Sequence, residues 1–346
     1  MPDLKPRRRV SATAVATAIS PCFVGILQFF LARDGGLRPP GADGMSAKPT
    51  PALKELLASA QLPALPQSAI RLLELSQNPD NGPAEFAVPI ESDPGLAGQV
   101  LKFVNSSYFG FSREIASVKL AISLVGIRTI KNFALWSAVF SLMPNPRCGP
   151  FDLKSLWQDS LRRALFARAT GKLLGLKDAE DLFAGALLQD MAIPLLAKEQ
   201  PTKYLKMLEA RREGEKRLSE LERAEFGWTH AEAAGYMARQ WSLPEEFAKL
   251  IEAHTQIDHF VETNCSDVGK LSVALSALLP AAQDEQWYEQ SKFLPYYGRL
   301  VGGRKPVEEL FAQIDREFTD FAPILKLSAP AKPLVQHLSE VTAART

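Results

Sequence analysis

Metal capture and nucleophilic catalysis both draw on histidine and cysteine, and this sequence of 346 residues holds four of the first and three of the second. Cys22, Cys148 and Cys265 are odd in number, far apart and form no C-x-x-C. That argues against a structural zinc site or a disulfide framework and fits a reducing, cytoplasmic setting. No Ser-His-Asp pattern, Gly-rich phosphate loop or P-loop is present, so neither acyl transfer nor nucleotide hydrolysis has its usual equipment. His259 and His337 sit in no motif and read as surface residues. His230 and His254 stand at the ends of two segments with helical patterning, and they need partners from elsewhere to do any chemistry.

The elements that would position them read as helices throughout. From Pro51 onward, apolar stripes are separated by short Pro, Gly and Asn turns such as Asn78-Pro79-Asp80-Asn81-Gly82-Pro83. Ser92-Asp93-Pro94 is a strong helix start, an acceptor side chain before proline. The helix it opens carries Leu96, Val100, Leu101 and Val104 on one face and stops near Asn105-Ser106-Ser107. Residues 118–125 and 129–142 form two more helical patterns meeting at Gly126. A second block spans residues 156–174, 179–196, 201–214, 217–226, 230–241 and 244–254. Residues 266–346 also look helical, notably 307–318. No segment alternates long enough to demand a strand, so the fold class is all-α. Phe133, Trp136 and Phe140 lie at helical spacing on an apolar segment and read as core.

Composition agrees with a soluble globular body: 46% hydrophobic and 23% charged. The formal net charge is +1, but the first 44 residues hold six basic and three acidic side chains, leaving 34 basic against 36 acidic. Such a body has no electrostatic footprint for nucleic acid. The helix-Gly-helix around Gly126 carries only Arg128 and Lys131 as basic groups and is too apolar to enter a DNA groove. Ahead of the body, Arg7, Arg8 and Arg9 precede a mainly apolar run over residues 10–32, from Val10 to Ala32. It reads in three ways: a membrane span or signal peptide, a disordered tail, or sequence lying upstream of a true start at Met45. Residues 35–51 are a Gly-Pro-rich linker.

Three strings carry a resemblance. The first joins Leu62-Pro63-Ala64-Leu65-Pro66, Glu91-Ser92-Asp93-Pro94-Gly95-Leu96 and Val104-Asn105-Ser106-Ser107-Tyr108-Phe109-Gly110. The second runs from Ile115-Ala116-Ser117-Val118-Lys119-Leu120-Ala121-Ile122 into Leu124-Val125-Gly126. The third is Glu225-Phe226-Gly227-Trp228-Thr229-His230, followed by Trp241-Ser242-Leu243-Pro244 and His254. In order and spacing they resemble the HDOD domain, the HD-related output domain of bacterial signalling proteins, over residues 52–260. The resemblance implies a two-lobed helical bundle whose second lobe is similar to HD-type phosphohydrolases, with residues 261–346 as a helical C-terminal extension and residues 1–50 as a leader. Pro89 departs from the pattern and is expected to kink or shorten the helix before Asp93. Asp93, Pro94, Asn105, Ser106, Gly126, Trp241 and Pro244 are the family-motif residues. Their simplest role is to start, stop and orient helices; an alternative puts Asn105, Ser106 and Tyr108 on a partner-binding groove. Trp241 is expected between the lobes.

HD phosphohydrolases bring His and Asp side chains from several helices onto one or two divalent metals. The resemblance places Gln189-Asp190 where such an enzyme carries its adjacent His-Asp pair, and Asp159 where it carries its first His. A neutral amide is a poor substitute for an imidazole. Asp159, Gln189, Asp190, His230 and His254 are therefore vestigial metal-site candidates. In one reading Asp159, Asp190 and the two histidines bind a metal. In the other, His230 caps the helix after Trp228-Thr229, His254 makes a buried hydrogen bond near Trp241 and Asp190 bonds locally. The favoured expectation is a non-catalytic regulatory module with no cofactor, acting through a signalling protein partner or a nucleotide second messenger. The alternatives are a residual metal-dependent phosphohydrolase and, against the charge balance, a nucleic-acid adaptor. Residues 261–346 are too few for a receiver, cyclase or phosphodiesterase domain, so input is expected from a separate partner, and a membrane enters only if residues 10–32 form a true anchor.

Overall fold

Helix starts in this protein follow from local acceptors. In a computed structural model describing residues 49–343, Asp93, Ser117, Asp152 and Asp267 each accept from the backbone N–H three residues on, at 3.0, 3.2, 2.8 and 3.0 Å. Each bond satisfies a donor that the first turn leaves orphaned. Gly126, at φ 93°, joins two helices through a backbone conformation that a side chain would strain. No strand occurs among the described residues. The readings made for residues 1–48, including the leader, Cys22 and Met45, lie outside the described residues. Within them, no helix is long and apolar enough to cross a membrane.

The N-terminal lobe comprises α1 (Pro51–Ser59), α2 (Gln67–Leu75), α3 (Pro83–Glu91), α4 (Pro94–Val104), α5 (Val118–Val125) and α6 (Ile127–Leu142). Helix α3 runs on through Pro89 but ends two residues later. The second lobe begins with α7 (Leu153–Leu173) and α8 (Ala179–Leu188), followed by α9 (Ile193–Glu199), α10 (Pro201–Ala210) and α11 (Leu218–Phe226). It continues through α12 (His230–Gln240), α13 (Glu245–Ala253), α14 (Ile257–Glu262) and α15 (Val268–Ser276). Three further helices, α16 (Gln290–Val301), α17 (Val307–Phe321) and α18 (Leu334–Ala343), complete the described chain. The expected helix over residues 179–196 is in fact two. Pro194 lacks an N–H, and its ring would strike the carbonyl of Asp190 in a continuous helix, so the chain turns at Gln189 and restarts at Ile193.

Helix α7 is the spine, packed along α8, α15 and α17, while α13 lies on α8 and α12. One apolar core runs through both lobes. Phe103 stacks on Phe133 at 4.2 Å, and Phe140 stacks on Trp157 at 3.8 Å, carrying the core from α6 into α7. The approach of α8 to α13 is closer than a side chain allows. A Cβ on Gly185 would lie 2.8 Å from Cβ of Leu250 and 2.9 Å from its Cδ1. Gly185→Ala is therefore expected to cost about 1–3 kcal/mol, read from the midpoint of chemical denaturation at unchanged slope.

The motif residues hold the lobes and loops together. Asp93 also accepts from Ser68 Oγ at 2.9 Å, tying α4 to α2. Asn105 donates to the Ile115 carbonyl at 2.8 Å and accepts from its N–H at 2.7 Å, clamping the loop before α5. Ser106 donates to the Phe103 carbonyl at 2.7 Å. Trp241 Nε1 donates to the Pro63 carbonyl at 2.9 Å, so the third string grips the first across the lobes. Pro244 immediately precedes α13. Tyr108 reaches the spine, its ring 4.6 Å from the Arg168 guanidinium. That guanidinium is buried, also faces Phe183 at 4.7 Å and Phe321 at 5.2 Å, and donates to Glu317 at 2.9 Å. Asn105, Ser106 and Tyr108 are thus all engaged within the chain.

Candidate functional site

Three side chains from separate elements converge on the floor of a cleft. Asp190 comes from the turn that Pro194 enforces after α8, His230 is the first residue of α12, and His254 follows the last turn of α13. Their ligand-capable atoms lie within 4.8 Å of one another, and all three residues are buried. Asp190 Oδ1 is 3.3 Å from His230 Nε2 and 3.4 Å from His254 Nε2, and the two Nε2 atoms are 3.0 Å apart.

The outer nitrogens fix which atoms point inward. His254 Nδ1 donates to the Ile251 carbonyl at 2.6 Å, a group that can only accept. His230 Nδ1 donates to Glu222 Oε2 at 2.6 Å. Glu222, wholly buried, also takes the His230 backbone N–H at 2.7 Å and the Tyr204 hydroxyl at 2.5 Å. In neutral histidines this arrangement aims both Nε2 lone pairs at Asp190. Three acceptors then face one another, and something positive must lie between them.

A proton meets that need. Burial alone would lower the His230 pKa, but Glu222 and Asp190 overcome it and lift it to about 10. Burial pushes His254 below the usual histidine value, which leaves it neutral and able to accept from His230 Nε2. Burial would likewise raise Asp190, but the Arg163 guanidinium and the two imidazoles hold its carboxyl well below the usual range. Arg163 Nη1 is paired with Asp190 Oδ2. Gln189 Nε2 donates to the same oxygen at 3.4 Å, while Gln189 Oε1 is buried without a partner. Two carboxylates, a guanidinium and an imidazolium therefore sum to zero charge without a metal.

Of the five residues selected from sequence, Asp190, His230 and His254 meet, and Gln189 touches Asp190 only through its amide. Asp159 stands apart from that cluster. Its Oδ1 accepts from the Ala282 backbone N–H at 2.6 Å. Of the local roles expected for the others, His254 does make a buried hydrogen bond, to the Ile251 carbonyl, whereas those of His230 and Asp190 differ from what is found. Thr229, in a capping box with Glu232, caps α12, and the His230 ring is free for Glu222. Asp190 is paired with a residue 27 positions away. His337, expected on the surface, is 2% exposed because it follows Leu334 by three positions and precedes Val341 by four on the inward face of α18. His259 is exposed. Arg163 and Glu222 were missed by sequence reasoning. Arg163 sits four residues after Asp159 on one face of α7, and Glu222 four after Leu218 on the inward face of α11, spacings that could have drawn attention.

Burial raises Asp159 to about 6, against the opposing pull of Arg163 and Arg162. The folded state then keeps its proton to higher pH than the unfolded chain, so stability falls as pH rises from about 4 through 6. His337 works the other way: burial, Lys332 and Arg162 push it to about 4, so stability falls as pH drops from about 6.5 toward 4. Asp159→Asn isolates the first effect. The variant is expected to gain up to about 2–3 kcal/mol over the parent above pH 6, with the difference vanishing by pH 4, as read by urea denaturation across that range.

The chain is an all-helical two-lobed bundle with a buried Asp-His-His cluster at the floor of a cleft. A family model for the HDOD domain matches residues 62–257, more than half of the chain, and the chain belongs to the HDOD family. An HDOD domain protein of unknown function from Geobacter sulfurreducens superposes at TM-score 0.62 and 19% identity, over 79% of this chain and 97% of that one. A candidate phosphohydrolase from Shewanella amazonensis SB2B gives TM-score 0.62 and 20% identity, over 80% and 98%. A candidate signal transduction protein from Marinobacter aquaeolei VT8 gives 0.60 and 19%, over 92% and 69%. At these identities the likeness speaks for the fold. An uncharacterised protein of Treponema pallidum (strain Nichols) is 24% identical over 202 residues, 58% of this chain but only 39% of that relative.

The donor set fits one divalent ion through Asp190 Oδ1 and the two Nε2 atoms, with Glu222 and the Ile251 carbonyl orienting the imidazoles as outer partners. It does not fit a two-ion centre: Gln189 offers only a neutral amide, Asp159 is bonded elsewhere, and Arg163 adds a cation beside the only carboxylate of the three.

Proposed function

We propose that this HDOD protein is a non-catalytic regulatory module of signal transduction. It acts through contact with a signalling protein, or through a ligand such as a nucleotide second messenger held in the degenerate HD cleft. The observation that carries the reading is the buried Arg163–Asp190 ion pair, which sets the protein's own cation against the one carboxylate of the cluster. A divalent ion would have to displace the His230 proton and then share Asp190 with a guanidinium, both electrostatically costly. The likeness to a candidate signal transduction protein agrees with this.

The test is turnover. Full-length protein supplied in turn with manganese, magnesium, iron(II) or zinc is offered bis-p-nitrophenyl phosphate and a set of cyclic dinucleotides. Hydrolysis no faster than in protein-free controls is expected. Turnover that disappears in Asp190→Ala would overturn the reading.

A second reading rests on the convergence of three donors within 4.8 Å: a residual single-metal phosphohydrolase. An ion held by Asp190, His230 and His254 would acidify a bound water and polarise a phosphoryl oxygen. This reading requires Asp190→Ala to remove metal and activity together.

A further inference from the structure

The cleft above the cluster is lined in part by a connecting segment of the chain itself. Residues 277–289 join α15 to α16 without a helix of their own. Leu279, Pro280, Ala281 and Asp284 of this segment line the same cavity, of about 200 Å³, as Asp190, His230 and His254. The two ends of the segment are fastened in the core: Leu278 and Leu279 are buried, and Trp287 packs on Phe293 at 5.1 Å and Phe311 at 5.7 Å. Its middle, where Pro280 and Ala281 are also buried, carries polar contacts, among them Lys332 Nζ to the Glu285 carbonyl at 2.8 Å. Arg211 meets Asp284 with both guanidinium nitrogens, at 2.7 and 2.7 Å, and the Ala282 N–H reaches down to Asp159 at 2.6 Å. Gly214 makes room for this clasp: at φ 106° its Cβ would lie 2.7 Å from Asp284 Oδ2.

We propose that residues 277–289 form a latched strap that closes the degenerate HD cleft, with Arg211–Asp284 as the clasp and Asp159–Ala282 as the inner catch. Two firm ends and a middle without a helix, held largely by side-chain polar contacts, suit a segment that opens locally without unfolding the lobe. Asp159, the hydrogen-bond acceptor that grips the Ala282 N–H, lines the same cavity as Asp190, His230 and His254. Release of the clasp uncovers Asp190, His230 and His254 to a ligand or partner segment. The inference rests on reading the cleft as a degenerate HD site, yet its test needs neither metal nor turnover.

Two measurements on the full chain decide it: hydrogen exchange followed by mass spectrometry, and the rate at which diethyl pyrocarbonate modifies His254. The variants are Asp284→Asn, nearly isosteric at a buried position, and Arg211→Gln, at a side chain 26% exposed. In both, exchange over residues 278–289 and labelling of His254 are expected to rise about tenfold or more, with exchange in α8 unchanged. Three outcomes would each overturn the proposal: no change in either variant, acceleration in the strap and α8 together, or a faster strap with His254 labelled no faster than in the parent.

Discussion

Replacing Arg163 with alanine is expected to cost about 3–5 kcal/mol of folding stability, because it leaves the Asp190 carboxylate buried beside one remaining cation. The same change is expected to improve the cluster as a metal site. Arg163 repels any divalent ion approaching Asp190 Oδ1, and its loss leaves the carboxylate and two imidazoles without a competing guanidinium. Zinc or manganese should therefore raise the melting temperature of Arg163→Ala while leaving the parent unmoved, since a ligand stabilises only the state that binds it. Arg163→Lys keeps a charge and should behave like the parent toward metal. A variant as stable as the parent, or one indifferent to metal, would count against the self-neutralised site.

Arg168 should be the second most sensitive position. Its buried guanidinium lies within 4.6–5.2 Å of three rings, from the N-terminal lobe, from α8 and from α17, and pairs with Glu317. Arg168→Ala removes these contacts at once and opens a void where they met, a loss of about 3–5 kcal/mol. Arg168→Lys should recover only part of this, because an ammonium cannot lie flat against three rings. Because the knot joins the lobes, unfolding of Arg168→Ala is expected to lose its two-state character. Fluorescence from Trp136 in the N-terminal lobe and from Trp228 in the second should then give separate midpoints. Coincident midpoints at parental stability would show that the lobes are held elsewhere.

How much of this is legible in the sequence depends on the range of each interaction. Asp93 and Leu96 are three residues apart, so capping chemistry alone announces that helix start, while the same spacing of Thr229 and Glu232 was obscured by His230 beside them. The motif strings carry His230 and His254, and the likeness of Gln189-Asp190 to an HD pair adds Asp190 to the same expected cleft. What the strings could not convey is the partner of each. Arg163 on one helix answers Asp190 on another, and whether a charge faces inward is decided by tertiary packing. The split at residues 189–192 was readable from Pro194 but was masked by an apolar pattern that continues across it. His337 was misjudged because no motif contains it, although its spacing from Leu334 and Val341 marks the inward face of α18. Its two nitrogens are buried without partners, an arrangement no sequence pattern favours.

The most direct test of the central claim is elemental analysis of the full-length protein purified without chelators, beside His254→Ala prepared in the same way. A cleft floor neutralised by Arg163 and the His230 proton predicts transition-metal content far below stoichiometric in the parent and no lower in the variant. About one equivalent of metal in the parent, lost in His254→Ala, would contradict it and establish Asp190, His230 and His254 as a working metal site.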